Sequence, residues 1–305
     1  MTVKGIITNI MGASLSQIFS VLTEPAGSLI YHLILVFSIA GALQSSFVHW
    51  RSSEFPQARR TMLGLVVLLV AQIVLFLISG FGIQGLINLP LFLPPLDRAV
   101  TLFSLVWLIW LWAFPEPSRP ADAGTWLLSL LVLSALGLSL AAYSTTQTSF
   151  SSYNLTTSDS YWQLASIGFS LLGMLILGVR RPNGWGYGIA VFLISFAGHL
   201  LYMMIGRVEG DFPGAVRLAH LAAYPILLTL PQRFPTALSA LTAALIKNDM
   251  NPSLTPCSLV KDSCISLRKR ITAVRSASLN VVRIAAVCWA ITSCWAIFFR
   301  NGESL

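Results

Sequence analysis

Residues 61–81, TMLGLVVLLVAQIVLFLISGF, run for 21 positions without a charged side chain and directly follow Arg59 and Arg60. A hydrocarbon layer about 30 Å thick takes roughly 20 helical residues to cross. Lipid offers no partner to a loose backbone amide or carbonyl, so a run of this length must be helix. Similar apolar stretches lie on either side, and together they give seven predicted spans at 27–48, 61–81, 99–114, 125–143, 161–179, 186–205 and 215–230. Pro and Gly punctuate the connections, as at Pro56, Pro115, Pro117, Pro182 and Pro213, where a helix does not easily continue. The expected fold is an all-α membrane protein, a seven-transmembrane helix bundle, with a short tail at 1–26, the bundle at 27–235 and a basic tail at 236–305.

Composition agrees with that reading. Of 305 residues, 55% are hydrophobic and 10% charged, with a mean hydropathy of +0.76; a soluble domain carries about 25% charged residues. The net charge of +8 does not imply a nucleic-acid partner, because the Lys and Arg residues stand at helix ends and in the tail. Residues 1–26 hold Lys4 and Glu24 but lack the compact apolar core of a signal peptide.

Basic residues fall mainly on alternate turns. Arg51, Arg59 and Arg60 follow the first span, Arg119 the third, Arg180 and Arg181 the fifth, and Arg233 the seventh. The intervening turns are poorer, with Arg98 beside Asp97, no base between Ser144 and Ser160, and Arg207 and Arg217 offset by Glu209 and Asp211. Lys and Arg excess marks the cytoplasmic face, so the amino terminus is expected outside and the seventh helix is expected to end inside.

Trp107, Trp110, Trp112, Trp126, Trp162 and Trp185 lie near span ends and are expected in an interfacial aromatic belt. Ser129, Ser134, Gly137 and Ser139 in the fourth span, with Gly186, Gly188 and Gly198 in the sixth, are expected to allow close helix approach. Pro225 lacks an amide donor and should kink the seventh helix. Asn154-Leu155-Thr156 forms a glycosylation acceptor pattern on the expected outer side.

Three of the four His residues, His32, His199 and His220, lie inside spans one, six and seven and fall in the same predicted leaflet. Asp97 opens span three, Gln163 opens span five, and Tyr202 follows His199 by three residues on one helical face. Polar and ionisable groups within a span usually face the bundle interior. His32, Asp97, Gln163, His199, Tyr202 and His220 are therefore the candidate ligand-binding residues, lining an outward-facing polar cavity. The plain alternative is that each His is a hydrogen-bonded packing residue.

Other chemistries find no residues. There is no His-Glu-x-x-His helix, Gly-rich phosphate loop or His-rich di-iron motif, so no catalytic residue, metal or cofactor is expected. No predicted span contains a Lys that could hold retinal, and the unequal depth of His199 argues against a haem pair. Cys257, Cys264, Cys288 and Cys294 all fall in the tail at spacings that suit neither a zinc site nor a disulfide framework.

From about residue 27 to 235, the succession of spans resembles the seven-helix amino-terminal sensor region of bacterial sensor histidine kinases and related proteins with GAF domains. Leu93-Pro94-Pro95-Leu96-Asp97-Arg98-Ala99, Val179-Arg180-Arg181-Pro182 and Ala223-Tyr224-Pro225 carry the resemblance. It implies a bacterial inner membrane, a small-molecule ligand, a homodimer, and a cytoplasmic GAF, PAS or kinase module regulated through the last helix. No kinase-type His, Asn and Gly boxes follow Pro235, so the effector is expected to be a separate signalling protein or a domain missing from this chain. The abrupt change of composition near residue 250 suggests a shifted reading frame, and residues 281–299 read as a marginal eighth span or an interfacial helix. The expected function is a non-enzymatic membrane receptor; a small-solute transporter and a structural subunit without a ligand remain as alternatives.

Overall fold

The uncharged run at 61–81 forms the centre of a longer helix, α2, Pro56–Ile83. Its inward face repeats at three- and four-residue intervals through Leu65, Leu68, Gln72, Leu75 and Ser79, each no more than 3% exposed. This computed structural model describes residues 21–23, 25–53, 56–86, 88–146, 152–205 and 210–233. The expected eighth span, the shifted frame and most of both tails lie outside them.

Every described regular element is helical. Around α2 stand α1 (Pro25–Ser53), α3 (Leu89–Ala113), α4 (Arg119–Thr146), α5 (Thr157–Arg180), α6 (Trp185–Ile205) and α7 (Gly214–Ala223), with a short 3-10 turn at Tyr153–Leu155 before α5. The seventh helix continues without a break as a 3-10 helix over Tyr224–Arg233. Among the described residues, seven helical stretches are long and apolar enough to cross a membrane. Their outward faces carry Leu138, Val179 and Met204 at 74%, 76% and 75% exposure, an apolar surface that water would not tolerate. The chain is a multi-pass membrane protein.

α3 is the hub. Buried side chains make up 89% of its span, against 22% for α4, and it packs on α2, α4 and α5. This position explains two departures from expectation. α3 begins at Leu89 rather than near 99, with Pro94 and Pro95 accommodated inside it. Two intrahelical bonds are lost there, but Leu93 is wholly buried against Leu75 and Phe212, and the following turn is held by ion pairs. The second departure concerns tryptophan: Trp107, Trp110 and Trp112 are at most 4% exposed and belong to the core, not to a lipid-facing belt. Trp107 donates to Ser129 Oγ at 3.1 Å and Trp110 to Asp122 Oδ1 at 2.8 Å. Trp162 is buried too, whereas Trp126 and Trp185 are exposed as expected.

Close helix approach is real at Gly188 and Gly198. A Cβ at Gly198 would stand 2.4 Å from Ala219 Cβ, so α6 and α7 touch there through backbone. Gly186 and Gly137 have nothing within 4 Å of a Cβ, and Ser134 is exposed with its hydroxyl bonded to its own helix, so these three serve no such contact.

The last carbonyls of α3, unsatisfied by their own helix, are collected by arginines from other elements. Arg233 donates to Leu111 O at 2.9 Å and Trp112 O at 3.2 Å, and Arg60 to Phe114 O at 2.9 Å. Burial pushes the Arg233 guanidinium down to about 10, which leaves it charged at neutral pH. Arg60 also pairs with both carboxylate oxygens of Asp122 and lies 4.0 Å over Trp110.

The kink expected at Pro225 takes the form of a change of helix type. The α-helical pattern stops at Ala223, one residue before the proline's neighbour, and the 3-10 pattern then runs for ten residues past Pro231. Pro225 cannot donate to the carbonyl four residues back, and tighter i to i+3 bonding is the next available pattern. Thr229 Oγ1 reinforces it with a 2.7 Å bond to Ile226 O.

Candidate functional site

The charged and polar side chains gather at the end of the bundle where the α2–α3, α4–α5 and α6–α7 turns lie. α5 shows how they are delivered. Thr156 caps its start by accepting from the Asp159 amide at 3.2 Å, and Asp159, Gln163, Ser166 and Ser170 then recur on one buried face. In a membrane helix the polar stripe faces inward, the reverse of a soluble amphipathic helix. α6 brings His199 and Tyr202 to the same place, α7 brings Arg217 and His220, α1 brings Tyr31 and His32, and α3 brings Asp97 and Arg98.

Arg98 is the centre. Only 2% exposed, it donates through Nε to Asp159 Oδ1 at 2.7 Å, through Nη1 to Asp97 Oδ2 at 3.0 Å, and through Nη2 to Asn154 Oδ1 at 2.8 Å and Asp211 O at 3.2 Å. Asp159 also accepts from Tyr202 Oη at 2.9 Å and Gln163 Nε2 at 3.3 Å. Arg217, 1% exposed, reaches Asp97 Oδ1 at 3.5 Å, Ser28 Oγ at 3.1 Å and Leu22 O at 2.6 Å, and its guanidinium lies between the rings of Phe212 and Tyr31. Two buried cations thus meet two buried carboxylates. Charges this far from water persist only when paired and hydrogen-bonded in this way.

The histidines sit against this charge lattice. His220 Nδ1 is 2.9 Å from Tyr31 Oη, and the His199 and His220 rings stand 5.9 Å apart edge to face. His199 Nδ1 is 2.6 Å from Gln163 Oε1; an amide oxygen only accepts, so Nδ1 donates, and in a neutral imidazole this leaves Nε2 as an acceptor. That Nε2 is buried and makes no hydrogen bond, and the same holds for Arg217 Nε and both ring nitrogens of His32, whose Nε2 stands 3.8 Å from Asp97. Buried polar atoms are rarely left so.

Two turns close over the cluster. Tyr153 donates its amide to Asp211 Oδ1 at 3.0 Å, Asn154 donates its amide to Gly210 O at 3.2 Å, and the Asn154 carboxamide donates to Phe212 O at 3.3 Å. Gly210 takes φ +133, a backbone conformation that side-chain-bearing residues seldom adopt. Burial pushes the Tyr153 phenol up, and its oxygen shares hydrogen bonds with Ser139 and Ser158. Asn154, 1% exposed and bonded to Arg98, is therefore no glycosylation acceptor in the folded chain.

All six residues expected at a ligand site, His32, Asp97, Gln163, His199, Tyr202 and His220, lie in this one cluster, none more than 6% exposed. It is shut rather than an outward-facing cavity, because Tyr153 and Asn154 cover it together with Gly210, Asp211 and Phe212. Arg98 and Arg217 read from the sequence as turn charges, but both are interior. Asp159 and Arg217 lie outside the candidate set, although the i, i+4 pair Asp159–Gln163 and the i, i+3 pair Arg217–His220 place each on a face already holding a candidate, and Asn154 reads only as a glycosylation pattern. Among the described residues no group of three or more His, Cys, Asp or Glu is placed to hold a metal ion.

Comparisons of the chain with protein families, curated proteins and solved structures find no match.

Proposed function

We propose that this protein is a receptor module of a bacterial inner membrane, non-catalytic, that binds a small polar ligand in the buried cluster and passes the event through α7 to a cytoplasmic signalling partner. The observation that supports it most is the acceptor at His199 Nε2 without a hydrogen bond, with Arg217 Nε and the His32 ring nitrogens also lacking one, in a lattice whose two arginines and two aspartates already cancel. A ligand fitting these groups carries both donors and acceptors and no net charge, as a zwitterion or a neutral polyol does. Entry requires the Tyr153–Leu155 turn to part from Gly210, Asp211 and Phe212. A ligand shifts such an equilibrium only by binding the two arrangements with different affinity. α7 contributes Arg217 and His220 to the cluster and leads to Arg233 at the opposite end, so movement at one end is delivered to the other.

In this reading the cluster faces outward, in keeping with the Arg-rich turns lying inside. Cysteine placed at Gln84 should react with an impermeant maleimide from outside intact cells, and cysteine at Glu116 only after permeabilisation, in a chain whose four native cysteines are replaced by serine. The reverse pattern would invert the bundle.

The function is tested with reconstituted full-length protein and a set of zwitterionic amino acids and neutral sugars at millimolar concentration. At least one should raise the unfolding temperature of wild type but not of His199→Leu, and should change the distance between spin labels at Val179 and Leu228, both exposed. Uptake of that solute into sealed proteoliposomes lacking any partner would replace the receptor with a transporter. Indifference of both readouts to every solute would leave the His residues as packing groups.

A further inference from the structure

At the opposite end of the bundle from the charged cluster, α2 and α4 diverge on either side of α3 and leave an open groove of about 550 Å³. That size falls within the range of small-molecule sites. Its polarity is graded along α2 and α4, and α3 lines it with tryptophan. On α2, Arg59 and Arg60 stand at the mouth, with Leu63 and Val66 one and two turns deeper; on α4, Asp122 precedes Trp126; on α3, Trp110 lies nearer the end than Trp107. Leu63, Val66 and Trp126 are 52%, 38% and 57% exposed, so the inner part of the slot is apolar and open to the hydrocarbon layer.

Charge at the mouth is unbalanced by one. Arg60 is taken up by Asp122 and Phe114 O, whereas Arg59 is exposed and forms no ion pair among the described residues. Trp107 packs edge-on against both Trp110 and Trp126, which gives the groove a firm aromatic wall that a side chain of the bundle does not fill.

We propose that this groove holds one anionic glycerophospholipid, its phosphate on Arg59 and an acyl chain along Leu63, Val66 and Trp126. Arg59, the one lining cation without an ion pair among the described residues, matches the single charge of a phosphodiester, and the ordering of charged before apolar residues on α2 and α4 matches a lipid lying parallel to the helices. The site is independent of the ligand proposed for the charged cluster.

Full-length protein stripped of lipid in detergent provides the test, with native mass spectrometry and thermal unfolding as readouts. Phosphatidylglycerol should be retained in preference to phosphatidylcholine and should raise the unfolding temperature, while glycerol 3-phosphate, the headgroup chemistry without chains, should do neither. Arg59→Ala should weaken phosphatidylglycerol binding about fivefold, the scale of one basic residue at an anionic surface. Val66→Trp, which fills the slot from an exposed position, should lower retention of phosphatidylglycerol with Arg59 intact. Equal retention of the two lipids, unchanged retention in both variants, or an equal effect of glycerol 3-phosphate would overturn the proposal; the last would make Arg59 a site for free anions.

Discussion

Arg98→Ala will unfold at a much lower temperature than wild type, with a loss of about 3–5 kcal/mol, the usual consequence of removing one partner from a buried ion pair. The substitution removes a cation from Asp97 and Asp159, 4% and 2% exposed, and takes a donor from Asn154 Oδ1 and Asp211 O at once. Asp97 keeps Arg217 at 3.5 Å, so the heavier loss falls on Asp159, whose remaining donors, Tyr202 and Gln163, are neutral. Arg98→Lys should recover only part of the loss, because one ammonium cannot reach acceptors on α3, α5 and both covering turns with the geometry of a planar fork. Thermal unfolding in detergent measures this. A loss below about 1 kcal/mol, the scale of an exposed salt bridge, would show that the lattice does not hold the bundle together.

Gly198→Leu should be nearly as damaging. Even the first carbon of a side chain would lie 2.4 Å from Ala219 Cβ and 3.3 Å from Ala215 O, and these are groups of α7 that cannot swing aside. The two helices must separate, at about 1–3 kcal/mol for the first methyl and more for leucine. Because His199 and Tyr202 share this stretch of α6, the same separation should loosen their bonds to Gln163 and Asp159. Gly168→Ala on α5 is the matched control: nothing lies within 4 Å of its Cβ, and it should stabilise slightly through helix propensity. Equal effects of the two substitutions on the unfolding temperature would refute the close contact of α6 and α7.

Seven helices could be read from the chain because lipid removes every other backbone solution, and length and apolarity are visible one residue at a time. The six candidate residues converge for a related reason: an ionisable or amide side chain within a span has nowhere to go but inward. What could not be read depended on which helix occupies the middle. Trp107 and Trp112 look like belt residues on any helix near its end; they are buried because α3 is encircled. Arg98 and Arg217 look like topology charges because each neighbours an acid close to a turn. The setting of Arg98 depends on α3 starting at Leu89, ten residues before the apolar pattern does, which draws its first turns into the bundle; Arg217 lies within the apolar stretch itself and is turned inward by partners on other elements, Asp97 and Phe212. Asn154 followed the same course, since no local signal says that a polar turn will fold down onto an arginine two helices away.

The ten residues Tyr224–Arg233 are wound as a 3-10 helix, which advances about 2.0 Å per residue where an α-helix advances about 1.5 Å. Rewinding that segment to α-geometry would shorten it by about 5 Å and turn its far end by roughly 200° relative to Ala223. Such a stroke would draw the Arg233 side chain off the Leu111 and Trp112 carbonyls that now anchor it, combining a piston with a screw in a single element, with Pro225 and Pro231 setting the resting pitch.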